Sequence, residues 1–495
     1  MARGQRLLTR AICAIRGSGI QREALMEWNT DNVVARREVL KWASMALAGT
    51  MAGVSFPLKV TAQAKAQPLG TARNAIFIQL TGAMSQMDCW DYKETKWTPK
   101  DLDPQKVWGD LYLPKTLFGR VMASKTVERL SFVRSMRARE LVHFNGQYHC
   151  QTGRALNVAV GKEIPAFGSV IAAELDSQRR PSDTFPTYVS VNLRQDRVGP
   201  IGSGFFPVTY SGMDLDPGVV FDVFGGASDG ATERDLDRRW NTLQRLAEVS
   251  PRAQAGLGDK ANEYRTFYDY AYRILNDKRW PKVFDISDQD KQRYGTGIVG
   301  QNFLLARNVL KADAGTRFVY ISETDNFGWD YHSSIYDKTR PTNLYVSAAR
   351  FDRAFPALLE DLAAMPGHAP GKSLLDETLV VASSEFGRTT YVNNAAGRDH
   401  YDQVFTSALV GGGVKGQQIM GATDEVAGKC IDTGWSDKHQ PVIDNLVATI
   451  YSVLGIDWRK KVENTPSGRG YAYVQTSPIG SSETINPNPL EGLFT

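Results

Sequence analysis

Six stretches of the chain string apolar, mostly β-branched or aromatic residues together with few polar interruptions: 74–80 (NAIFIQL), 129–136 (RLSFVRSM), 187–193 (TYVSVNL), 316–322 (TRFVYIS), 377–384 (ETLVVASS) and 405–413 (FTSALVGGG). Strict alternation would mean strands wetted on one face. Continuous runs instead predict strands covered on both faces, as in a parallel sheet. Between them, apolar residues recur at helical spacing. Leu236, Trp240, Leu243 and Leu246 do so within 231–249, and segments 343–365 and 441–455 repeat the pattern. The second of these helices is expected to kink or break at Pro356. Strand–helix alternation predicts an α/β fold around a mostly parallel sheet with helices on both faces. Residues from about 200 to 300 are rich in helix and charge and read as a helical insertion. There is no internal repeat. The expected α/β domain is 65–475, with 476–495 an irregular tail.

The N-terminus has another pattern. Arg36-Arg37 precedes an apolar, Ala/Gly-rich run from Trp42 to Phe56, and Ala62-Gln63-Ala64 is a small-x-small cleavage site. A twin arginine before such a run resembles a Tat export signal. The run is too short to span a bilayer. Residues 1–64 are therefore expected to be removed, with the Tat translocase as a transient partner and a periplasmic or secreted mature chain without a membrane span. Residues 1–64 carry nine of the 58 basic and four of the 54 acidic residues, so the remainder holds 49 basic and 50 acidic ones. That balance gives no electrostatic case for nucleic acid or an anionic membrane as partner. Cys89, Cys150 and Cys430 remain after cleavage, with no Cys-x-x-Cys pair. One disulfide at most is expected, and no thiolate zinc site.

Chemistry in such sheets gathers beyond the carboxyl ends of the strands. Asp88 comes after the first run, Asp330-x-His332 after the fourth, and Glu385 ends the fifth. Asp399-His400 closes the loop 384–405 (SEFGRTTYVNNAAGRDHYDQVF). In extended chain, positions i and i+2 point to one side, so Asp330 and His332 can converge on a cation. Asp88, Asp330, His332, Glu385 and His400 form a mixed oxygen and nitrogen ligand set suited to a divalent ion such as zinc, manganese or calcium. Arg388, Arg398 and Arg154 are placed either to hold a sulfate, phosphate or carboxylate or to pair with their acidic neighbours. The GGGVKG turn (411–416) formally matches a dinucleotide loop. The next nine residues, QQIMGATDE, do not read as a helix, so that function is rejected. His368 and His439 read as loop residues. There is no G-x-S-x-G elbow and no Walker A motif.

Several blocks resemble a bacterial family known as domain of unknown function 1501. They are IFIQLTGAMSQMDCWDYK (76–93), FGWDYHSS (327–334), SSEFGRT (383–389), the 396–425 segment that begins AGRDHYDQVF, VATIYSVLGID (447–457) and PSGRGYAYV (466–474). A twin-arginine start is typical of that family, which is similar to sulfatases and alkaline phosphatases. The resemblance implies a doubly wound, alkaline-phosphatase-like core with a metal site at the strand ends. It implies Asp88, Asp330, His332, Glu385 and His400 as metal ligands. Two departures stand out. Phe386 comes after Glu385 where phosphatases carry Asp-His. Thr152-Gly153-Arg154 is preceded at nine residues by His143, where sulfatases carry Cys or Ser. A formylglycine nucleophile is not expected on that ground. Either His143 is nucleophile, general acid/base or ligand, or water activated by a metal does the chemistry, or catalysis has been lost.

These residues are compatible with two functions. The first is an exported, metal-dependent hydrolase of sulfate or phosphate esters, acting on a small anionic or glycan-type substrate, with His143, Arg388 and Arg398 catalytic. The second is a non-catalytic secreted binding or scaffold protein on a degenerate hydrolase fold.

Overall fold

The computed structural model describes residues 60–61, 67–224, 237–238, 240–242, 244–245, 269–325, 328–476 and 486–494. The twin-arginine segment and most of the helix expected at 231–249 lie outside the described residues. Val60 and Thr61, just ahead of the expected cleavage site, pair with Val462 and Lys461.

The core is one eight-stranded sheet. In chain order its strands are β1 (Asn74–Gln79), β2 (Ser131–Met136), β3 (Tyr188–Val191), β4 (Met213–Leu215), β5 (Phe318–Ser322), β6 (Thr378–Ser383), β7 (Phe405–Val410) and β8 (Gln418–Met420). Their spatial order is β8-β2-β7-β6-β1-β5-β3-β4. The six apolar runs all became strands. The short edge strands β4 and β8 were not foreseen, because three residues carry too little periodicity to read. β7 alone runs antiparallel to its neighbours β2 and β6. Its amino end therefore lies at the edge where β1, β5 and β6 have their carboxyl ends, and it brings the 384–404 loop to that edge.

Every residue of β1, β5 and β6 is buried, and alternate side chains divide between two cores. Ile76, Ile78, Val319, Ile321 and Val380 face the helices Ile298–Lys311 and Leu344–Ala364. Ala75, Phe77, Phe318, Tyr320 and Val381 face the helices Phe167–Glu174 and Ile443–Val453. The sheet is thus sandwiched between helices, the α/β arrangement that continuous runs imply.

The helix Leu344–Ala364 contains Pro356 and continues through it, so of the expected kink or break the break does not occur. Its apolar face, with Phe351, Phe355, Leu358 and Leu362, is fully committed to the core, and that packing outweighs the single backbone hydrogen bond that proline removes. Residues 486–494 have little regular structure but dock on the helix Ile443–Val453. Asn445 donates to the carbonyls of Asn486 and Asn488, and Leu490 and Phe494 are buried. Gly411, Gly412 and Gly413 all take positive φ and lead into strand β8 rather than into a helix, so no helix N-terminus meets that loop. All three cysteines among the described residues are free. No helix among them is long and apolar enough to cross a membrane.

Candidate metal centre

Four side chains from three separate segments meet at the carboxyl edge of the sheet. The chain leaves β5 and reaches Asp330 and His332. Segment 393–400 then lies alongside it: Arg398 donates its backbone N–H to the carbonyl of Tyr331, and Ser333 pairs with Ala396. Gly397 makes this possible, because a Cβ there would sit 2.1 Å from the carbonyl carbon of His332. The pairing carries His400 to His332. The fourth member, His143, opens the helix His143–Thr152 that comes after β2. Gly146 on that helix lets it press on Glu385, since a Cβ would come within 2.9 Å of the Glu385 side chain.

One potential ligand atom from each of His143, Asp330, His332 and His400 lies within 4.8 Å of all the others. Asp330 Oδ1 is the hub. His143 Nε2 and His332 Nε2 each lie 3.2 Å from it, and His400 Nε2 lies 3.7 Å away. Each imidazole is held from behind through Nδ1. His143 Nδ1 meets Glu385 Oε1 at 2.8 Å, His332 Nδ1 meets Asp399 Oδ1 at 3.0 Å, and His400 Nδ1 meets the carbonyl of Leu141. Those three partners are acceptors, so each Nδ1 carries the proton. Each Nε2 then presents a lone pair inward. Two of these, on His332 and His400, face each other at 2.8 Å. His143 Nε2 is buried without a hydrogen-bond partner. Lone pairs converging on a carboxylate oxygen repel unless a positive charge lies among them. A divalent cation fits that requirement, and imidazoles oriented by carboxylates and a carbonyl are the usual outer support of a metal ligand.

The electrostatics set a carboxylate against a competition between proton and cation. Burial pushes the Asp330 carboxyl up, but the neighbouring His143 and His400 and the charge of Arg388 outweigh it and hold the group well below the usual carboxylate range. Burial works against a charged His143, yet Asp330 and Glu385 together raise its pKa, so in the metal-free protein a proton on Nε2 competes with a cation for that nitrogen. The hydrogen bond with His332 lowers Asp399.

The remaining residues singled out in the sequence stand elsewhere. Asp88 does not reach the cluster. It is fully buried in a pair with Arg398 at 2.8 Å and accepts from Ser85 and Tyr336. Arg398 is correspondingly spent on Asp88, Tyr336 and the carbonyl of Thr389 rather than turned toward an anion. Glu385 stands behind His143, where Oε1 also accepts from the backbone N–H of Gly82 at 2.9 Å. Arg388 is buried and donates to the carbonyls of Gly82, Ala83 and Arg398 and to Asp330 Oδ1 at 2.6 Å. Its role in this geometry is to hold Asp330. Arg154 lies over the ring of Tyr471. His368 faces Asp313, and His439 faces Asp437, both away from the cluster.

The sequence reading passed over Arg197. Its guanidinium reaches Asp330 Oδ2 at 3.3 Å while the side chain remains 59% exposed. Its backbone N–H is fixed by Gln147 on the His143 helix. No motif marks it, because its position depends on the turn after β3.

A family model described as "Protein of unknown function (DUF1501)" matches residues 72–475. The chain belongs to that family. The DUF1501 match takes in all four residues of the cluster together with Glu385 and Asp399. No curated protein matches. Among solved structures, a protein in the alkaline phosphatase superfamily from Vibrio parahaemolyticus aligns at 9% identity and a TM-score of 0.35, covering 87% of this chain and 76% of the other.

Two predictions arise from this geometry. Glu385→Gln keeps the shape behind His143 but removes the carboxylate. It is expected to weaken divalent-metal binding by roughly 10–100-fold, the usual effect of losing an outer partner; titration of metal-stripped protein reads it, and unchanged affinity would detach Glu385 from the centre. The second concerns Asp196, buried beneath the site, where it accepts from Ser322, Thr81 and Gln79. Burial, reinforced by the charge of Glu385, pushes its pKa up to about 8. The folded protein then keeps a proton that the unfolded chain releases near pH 4. Stability from this group is complete below the unfolded value and is lost as pH rises toward 8. Asp196→Asn is expected to flatten the stability–pH slope between these limits by up to about 1.4 kcal/mol per pH unit, measured by urea unfolding at several pH values.

Proposed function

We propose that this protein is an exported, divalent-metal-dependent hydrolase of sulfate or phosphate esters. One observation carries the reading: three imidazoles, each tied through Nδ1 to a fixed acceptor, aim Nε2 at a single carboxylate oxygen of Asp330. Three nitrogens to one oxygen favour zinc or manganese over calcium, which takes oxygen ligands. His143, His332, His400 and Asp330 would hold the ion. When bound, it would polarise an ester oxygen and make a water a stronger nucleophile.

The chain's own groups supply the rest. Arg388 keeps Asp330 in place from below. Arg197, exposed at the mouth, swings from Asp330 Oδ2 to the non-bridging oxygens of an incoming anion, where a guanidinium binds two oxygens at once. Asp399 holds the proton on His332 Nδ1, and Glu385 the proton on His143 Nδ1. A panel of aryl and alkyl phosphates and sulfates, tried with zinc- and manganese-loaded protein, tests this. Metal-dependent turnover of at least one class is expected. A fully loaded protein inert to the whole panel would overturn it.

That outcome would favour a non-catalytic secreted binding or scaffold protein, a reading with one specific observation behind it: Arg388 and Arg398 are both consumed by internal partners.

A further inference from the structure

Residues 141–144 stand against expectation for so central a position. His143 is buried within the metal cluster, yet Leu141, Val142 and Phe144 beside it are 43%, 58% and 43% exposed. Few large apolar residues in the described chain are this exposed, and three of them fall within four consecutive positions. Apolar side chains left in water beside a functional site mark a surface that a ligand covers.

The segment is bound to the centre in two ways. The Leu141 carbonyl fixes His400 through Nδ1, and His143 supplies an inward nitrogen. Neighbouring Cα atoms are about 3.8 Å apart, so Val142 and Phe144 are within one residue of a cluster member. The exposed apolar side chains therefore begin one residue from buried His143. Arg197, held at Asp330 Oδ2, supplies a positive charge at the same cluster. An exposed cation and three exposed apolar side chains thus both belong to segments tied to the cluster.

We infer that Leu141, Val142 and Phe144 form the specificity wall of the site, and that its substrate is an ester joining an anionic head to an apolar aryl or alkyl arm. The inference rests on the hydrolase reading above and narrows it. Sugar or other polyhydroxylated arms gain little from such a wall, whereas each buried methylene adds to affinity.

The test uses non-hydrolysable probes on the zinc-loaded protein. Binding of methylphosphonate and hexylphosphonate is measured by calorimetry for the wild type and for Val142→Ser/Phe144→Ser. Serine is favoured at a helix N-cap, the position of Val142, and Val142→Ser alone serves should the double variant fold poorly. The wild type is expected to bind hexylphosphonate at least about tenfold more tightly than methylphosphonate. The variant is expected to lose that preference while keeping its zinc and its affinity for methylphosphonate. Equal binding of the two probes by the wild type, or a preference that survives in the variant, overturns the wall. Loss of zinc or of methylphosphonate affinity in the variant also overturns it, because the segment would then act only by holding His143 and His400. If neither probe binds the zinc-loaded wild type, the anionic-ester reading falls with it.

Discussion

Asp330→Asn is expected to abolish divalent-metal binding at the cluster, and any ester turnover with it. The loss should exceed the roughly 10–100-fold typical of an outer partner. Asp330 Oδ1 lies 3.2, 3.2 and 3.7 Å from the three inward imidazole nitrogens. It also carries the negative charge that a divalent ion needs beside three neutral ligands. The substitution also takes from buried Arg388 its bonded carboxylate and leaves it the carbonyls of Gly82, Ala83 and Arg398, so a stability cost accompanies the metal loss. A companion variant separates metal loss from unfolding. His400→Gln leaves every charge in place and is expected to lose the metal as well, with thermal stability of the metal-free protein close to that of metal-free wild type. Elemental analysis of both variants checks this. Full metal occupancy in either one would remove that residue from the ligand set.

Asp88→Asn should have the largest effect on stability. Asp88 and Arg398 are both fully buried and bonded at 2.8 Å. Removing one partner leaves an uncompensated guanidinium in a low-dielectric interior, which costs about 3–5 kcal/mol. Tyr336 and the Thr389 carbonyl still bond Arg398 but carry no full negative charge. Urea unfolding of the metal-free proteins is expected to show that loss, and the folded variant is expected to bind metal as the wild type does. The reverse pattern, normal stability with metal lost, would return Asp88 to the ligand set.

How far the sequence reached depends on what each residue's position rests on. β1, β5 and β6 were legible because strands buried on both faces must be apolar throughout. β4 and β8 were not, since three residues pattern nothing. Asp330 and His332 were legible as a pair, because i and i+2 share a side in extended chain. His400 was legible only as a residue near a strand end, and its arrival depends on β7 running backwards and on Gly397 allowing two chains to touch. Asp88 and Glu385 fell at strand ends too. Strand-end position, however, gives the edge of the sheet and not the depth at which a side chain stops. Asp88 turned under the site to Arg398, and Glu385 stopped one layer out, behind His143. His143 was noticed only through the sulfatase-like spacing to Thr152-Gly153-Arg154. Its place in the cluster comes from the fold, as does that of Arg197.

The most direct test of the centre is X-ray absorption spectroscopy at the zinc edge on the zinc-loaded protein. The geometry predicts one zinc per chain, ligated by about three imidazole nitrogens near 2.0–2.1 Å and one carboxylate oxygen. A protein that takes up no zinc, or whose zinc shows oxygen ligands without imidazole, would contradict the account.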